Sequence, residues 1–214
     1  VTTTEVDAAA NGRTWIVPAS AVAFAVLMVA GALTAEAGGK LTDKTAAQVV
    51  KSFHDGKGVA ILSAFLLTLA GLAFLPLAWG ATQRVRAGLS SLGEYMARTC
   101  AQLFVAMVLI AGAAGGTLAF VVVFEPEKDP PADLIRFVPL FLDSVIRIGG
   151  ALAVGVFLAV IARAGQKAGV VPPWFSALGY VAAVGMLGAV FVYPFILLPI
   201  WALAAAYVLR SPAR

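Results

Sequence analysis

Residues 100–124 read CAQLFVAMVLIAGAAGGTLAFVVVF, a run of 25 residues without a charged side chain. As an α-helix it extends about 38 Å, more than the roughly 30 Å of a bilayer's hydrocarbon core. In lipid, a helix satisfies all of its own backbone hydrogen bonds, so such a run reads as a membrane span. Within it Gly112 and Gly116 form a small-xxx-small face. Faces of that kind let helices approach closely where lipid offers no hydrophobic driving force. The reading favours packing within the chain, with a second copy of the chain as the other use.

The rest of the chain has the same character. Hydrophobic residues make up 61% of it, charged residues 12%, and its mean hydropathy is +0.96. A soluble domain carries about 25% charge, because its surface faces water. The 15 basic residues are scattered among 11 acids, with no block to track a phosphate backbone, so nucleic acid is not an expected partner. The bilayer is, and the basic residues read as its flanking anchors. One cysteine, Cys100, and one histidine, His54, rule out an intrachain disulfide and bis-histidine haem ligation. They leave no cluster for zinc or an iron–sulfur centre, so no cofactor is expected.

Working outward from residues 100–124, an all-α polytopic bundle of about six spans emerges. Residues 1–14 are a polar tail, 15–210 a single transmembrane domain and 211–214 a C-terminal tail. The spans are placed at 15–33, 59–79, 100–124, 137–161, 175–192 and 194–209. In the first, Pro18 sits in the opening turn, where a missing N–H costs little. Ala35-Glu36-Ala37 resembles a signal-peptidase site, but the n-region holds only Arg13. The apolar run also exceeds an h-region of about 7–15 residues, so a retained span is the reading. The stretch 175–209 is 35 residues without a charge. One helix of that length would extend roughly 52 Å, so two spans meeting near Tyr193-Pro194 fit better.

Two loops stand out. Residues 125–136 are acidic and proline-stiffened. In the loop 34–57, Ala46, Val49, Val50 and Phe53 recur at helical spacing, with Thr42 or Asp43 where an N-cap belongs. This predicts a short amphipathic helix in the first outer loop, ending at His54 and Asp55 and lying on the membrane surface. It reads as a cover for loop backbone or as a lid, and His54 as a solvated side chain.

With six spans, both termini share a side. Placing them in the cytoplasm puts eight basic residues inside (Arg13, Arg84, Arg86, Arg98, Arg163, Lys167, Arg210, Arg214) against six outside. That lean follows the positive-inside rule and reads as a multi-pass protein with both termini in the cytoplasm.

The chemistry concentrates in the fourth span, where Asp143 and Arg147 stand four residues apart and can pair on one face. Intramembrane charges cost about 2.5–3.5 kcal/mol each on insertion scales and are commonly functional or paired. Continuing the face gives Gly150, Ala151, Val154 and Leu158, so the pair should face the bundle interior. At similar depth Ser63, Thr117, Ser144 and Tyr193 complete a candidate polar pocket open to the outside. There Arg147 would hold an anionic group and Asp143 would orient it. Two structural readings compete: a pair that neutralises itself and fixes packing, or an interfacial Asp143 with a snorkelling Arg147.

The stretch TDKTAAQVVKSFHDGKG (42–58) runs straight into the second span. VPPWFSALGY (171–180) leads into a pair of spans that closes with Leu198-Pro199-Ile200-Trp201. This pattern resembles a family of uncharacterised six-span integral membrane proteins of high-GC bacteria. The resemblance implies six spans and carries over no catalytic residue or cofactor. Function reads first as non-enzymatic binding of a lipid or small amphiphile, or as an accessory membrane subunit. The alternative is a small-solute transporter or channel using the Asp143–Arg147 pair, although no internal repeat is visible. A lipid-directed enzyme would need convergent reactive groups, and no such motif occurs.

Overall fold

The computed structural model describes residues 15–37, 45–124, 130–189 and 196–210, and no strand occurs among them. The helices are α1 (Ile16–Ala37), α2 (Ala46–Arg84), α3 (Ser91–Phe124), α4 (Ala132–Ala168), α5 (Pro173–Leu187) and α6 (Leu197–Arg210). The first four are long and apolar enough to cross a membrane; α5 and α6 are shorter apolar helices of 15 and 14 residues. Each of α1–α4 packs on the next, α5 packs on the second half of α4, and α6 returns to pack on α1.

The separate amphipathic helix expected in the first loop does not exist as such. Its residues form the first turns of α2, which runs unbroken for 39 residues through His54, Asp55, Gly56 and Gly58. Register explains the continuity. Val49, Phe53, Gly56, Ala60, Ser63 and Leu67 alternate steps of four and three, so the loop helix and the span share one stripe. Each internal glycine costs about 1 kcal/mol of helix propensity, and packing along that stripe offsets it. Val49 is fully buried, and His54 is half-buried with a partner of its own rather than solvated.

The start of α2 is also corrected. Thr42 and Asp43 lie outside the described residues, and the cap is Thr45. Its hydroxyl accepts from Gln48 N–H, while the Gln48 side chain accepts from Thr45 N–H at 2.9 Å. This reciprocal capping box satisfies two donors that a helix start otherwise leaves orphaned.

The connection between α2 and α3 is shorter than the gap between the expected spans 59–79 and 100–124. Only residues 85–90 intervene, including a single 3₁₀ turn at Arg86–Gly88. Gly93 N–H donates to Ser90 Oγ at 3.1 Å, and Glu94 pairs with Arg98 and, at 3.8 Å, with Arg86. A Cβ at Gly88 would overlap the Ala164 carbonyl, so this turn lies directly against α4. The α4–α5 turn uses Gly169 in the left-handed region at φ +66°, and Pro173 opens α5.

One end of the bundle is tightly filled. Phe24, Phe74, Phe104, Phe157 and Trp201 form a connected aromatic core, with centroids 4.9 Å apart for Phe74–Phe104 and 6.0 Å for Phe157–Trp201. Such edge-on contacts contribute about 0.5–1.5 kcal/mol each beyond area. Gly112 and Gly116 belong to the α2–α3 contact. A Cβ at Gly112 would overlap Thr68 Oγ1, and one at Gly116 would lie 3.6 Å from the Ala64 Cβ. Helix α2 therefore occupies the face that a second copy would need.

Candidate functional site

The site is set by two features of α4. Pro131 precedes its first turn, and Pro139, Leu142, Asp143 and Ile146 fall at helical spacing on one side. The helix then widens into a six-residue π-helical turn, Val145–Gly150, in which Ala151 N–H donates to the Ile146 carbonyl five residues back. Short π segments inside α-helices carry a one-residue register slip and cluster at functional sites. Gly149 sits within this turn, and a Cβ there would come 3.1 Å from the end of Met107.

Arg147 stands inside the π turn and reaches back to Asp143. Its Nε lies 2.8 Å from Oδ1 and 2.7 Å from Oδ2, a charge-assisted contact in which one N–H serves both oxygens. The side chains are 28% and 40% exposed respectively, so the pair sits at the edge of the packed interior. Below it Gly150, Ala151, Val154 and Leu158 are buried, the stripe expected from the sequence.

Asp143 faces an open-mouthed cavity of about 480 Å³ lined by residues of α1–α4. The α2 stripe from Ser52 to Leu67 forms one wall, and Met28, Ala32 and Thr34 of α1 stand beside it. Ala111, Gly112 and Gly115 of α3 and the Pro139–Ile146 face of α4 close it. The aromatic core begins about two helical turns further toward the Arg84 end, since Phe104 is seven residues from Ala111 and Phe74 seven from Leu67. One end of the bundle is thus solid and the other hollow.

The six candidate residues divide. Ser63 and Asp143 line the cavity together. Arg147 is bonded through its Nε–H to Asp143 and stands behind it rather than among the lining residues. Thr117 and Ser144 are exposed on the outside of the bundle, and their hydroxyls donate to the Ala113 and Leu140 carbonyls of their own helices. Helical phase turns them away from the cavity. Tyr193 lies outside the described residues. Sequence reasoning missed Thr34, Ser52 and Gly56; the shared stripe of α2 was the available signal for the last two.

Ser63 is buried and its hydroxyl donates to the Gly31 carbonyl at 2.9 Å, tying α2 to α1. Thr34 Oγ1 donates to the Ala30 and Gly31 carbonyls, each at 2.9 Å. Among the described residues no three His, Cys, Asp or Glu side chains converge to hold a metal ion. The arrangement offers shape, an apolar lining and a few oxygens, which is the equipment of a binding site.

Compared with family models, curated proteins and solved structures, the chain finds no match in any of the three.

Proposed function

We propose that the protein is a non-enzymatic, multi-pass membrane protein that binds a lipid or small amphiphile in the cavity between α1 and α4. The observation that carries the reading is the cavity itself, about 480 Å³, with an apolar lining broken by Asp143, Ser63 and Thr34. Binding sites for small molecules have volumes of roughly 300–1,000 Å³ and this same mixture of apolar wall and few polar groups. The proposal includes six spans, α5 and α6 being the last two, and both termini in the cytoplasm of a bacterial cell. The distribution of charge supports it. Arg84, Arg86, Arg98, Arg163, Lys167 and Arg210 gather at the solid end, where Glu94 is the sole carboxylate among the described residues. The cavity then opens in the outer leaflet half, in keeping with the resemblance to six-span membrane proteins of high-GC bacteria.

The test is to purify wild type and Gly56→Trp in mild detergent and to extract and weigh what co-purifies by mass spectrometry. Gly56 lines the cavity and a Cβ there meets nothing within 4 Å, so an indole at this position is expected to fill the cavity. An amphiphile carried by wild type and missing from Gly56→Trp supports the proposal; identical profiles sink it.

Transport of a small solute is the second reading, and the π turn beneath the Asp143–Arg147 pair favours it. It requires that the solid end open. Solute flux in proteoliposomes, lost in Asp143→Ala, would select this reading over binding alone.

A further inference from the structure

We infer that the cavity accepts an amphiphile whose head group donates hydrogen bonds, an ammonium or a hydroxyl, and disfavours anionic head groups. This rests on the binding reading above and adds the chemistry of the ligand. Counting protons on the wall gives the argument. Ser63 has one hydroxyl proton, and it is given to the Gly31 carbonyl at 2.9 Å. Thr34 has one, shared between the Ala30 and Gly31 carbonyls. The Asp143 carboxylate has none. Each of these three groups therefore shows the cavity only lone pairs. Ser52, toward the Thr45 end, already has a partner.

The nearby cation is engaged by the carboxylate on the wall. Arg147 directs its Nε into the Asp143 carboxylate and forms no part of the cavity wall. A phosphate or carboxylate head would meet oxygen against oxygen, with no donor from these three side chains. An ammonium or hydroxyl head meets acceptors. A carboxylate has about four lone-pair sites, and the shared Nε–H leaves room for another donor. Because the acceptors stand within an apolar wall, a donor head there is worth more than in water, and a misplaced anion costs more.

The test uses three probes with one chain and different heads: dodecylamine, dodecan-1-ol and dodecanoate. Each is titrated into the protein in phosphatidylcholine nanodiscs, and binding is read from thermal stabilisation after correction for partitioning into empty discs. The expected result is that the amine and the alcohol bind at least about ten-fold more tightly than dodecanoate, the size of one charge-assisted hydrogen bond. Asp143→Asn, which adds an N–H₂ donor at the same place, should reduce that preference severalfold by admitting dodecanoate. Gly56→Trp should abolish binding of all three. If dodecanoate binds as well as the amine to wild type and Gly56→Trp still abolishes it, the head-group inference is overturned and the cavity stands. If Gly56→Trp leaves binding unchanged, or no probe binds wild type, the cavity reading fails and the inference with it. Should Asp143→Asn not fold, the ranking of the three probes on wild type decides alone.

Discussion

Asp143 and Arg147 form a half-exposed ion pair in the otherwise uncharged middle of α4, and their energetics follow from what each leaves behind. Removing one partner strands a charge, whereas removing both removes the problem. Asp143→Ala and Arg147→Ala should each lower stability by about 1–3 kcal/mol, and the double substitution by less than their sum. Thermal unfolding of the four proteins in one detergent measures this coupling; strict additivity would mean that the pair contributes nothing. The pair was legible in the sequence, because two charges four apart in a span have few alternatives. What sequence could not supply was phase. Thr117 and Ser144 stand on the wrong side, and the π turn shifts the helix below Asp143 by one residue. Depth is a count along one helix, but facing depends on how several helices are rotated, and no single span encodes that.

At the scale of the helix, α2 is the unusual element. Its 39 residues extend about 58 Å, nearly twice the thickness of a bilayer's hydrocarbon core, so in the proposed membrane placement its capped end projects beyond the lipid. The Thr45–Gln48 box holds that end. Thr45→Ala should cost about 1 kcal/mol and speed amide exchange over the first turns of α2, while exchange near Phe74 stays slow. Equal exchange along the helix in both proteins would show that packing alone holds the end. The α2–α3 contact is the other weak point. Gly112→Leu forces a side chain into Thr68 and should cost roughly 1–3 kcal/mol or more, seen as a lower unfolding temperature. Uncharged runs marked where helices lie but not their ends: α2 begins at Ala46, thirteen residues before the run 59–79, and α3 at Ser91, nine before Cys100. The error was to stop a helix at Gly56 and Gly58, where composition changes from polar to apolar while the buried stripe keeps its phase. Composition marks where the membrane begins, and hydrogen bonding decides where the helix begins.

At the scale of the whole molecule, the bundle is filled by aromatic rings toward one end and carries the cavity toward the other, with six of the ten described basic residues around the filled end. If that end faces the cytoplasm, single cysteines introduced at Lys167 and Lys57 in a Cys100→Ser background will react with an impermeant thiol reagent from opposite faces. Right-side-out spheroplasts should label position 57 only; labelling of 167 alone would invert the topology. The all-helical architecture was readable because a chain with 12% charge has few other ways to bury its backbone. The cavity was not readable, because it arises from how four helices are placed around one another, which no single run of sequence encodes. The most direct test of that cavity is photolabelling with a diazirine-bearing fatty alcohol in nanodiscs, with adducts mapped to single residues. Ala60, Ala64 and Leu142 line the hollow, while Phe65 and Phe124 face outward. Adducts concentrated on the first three at low probe concentration are the predicted result; adducts on Phe65 and Phe124 alone would contradict a bound amphiphile.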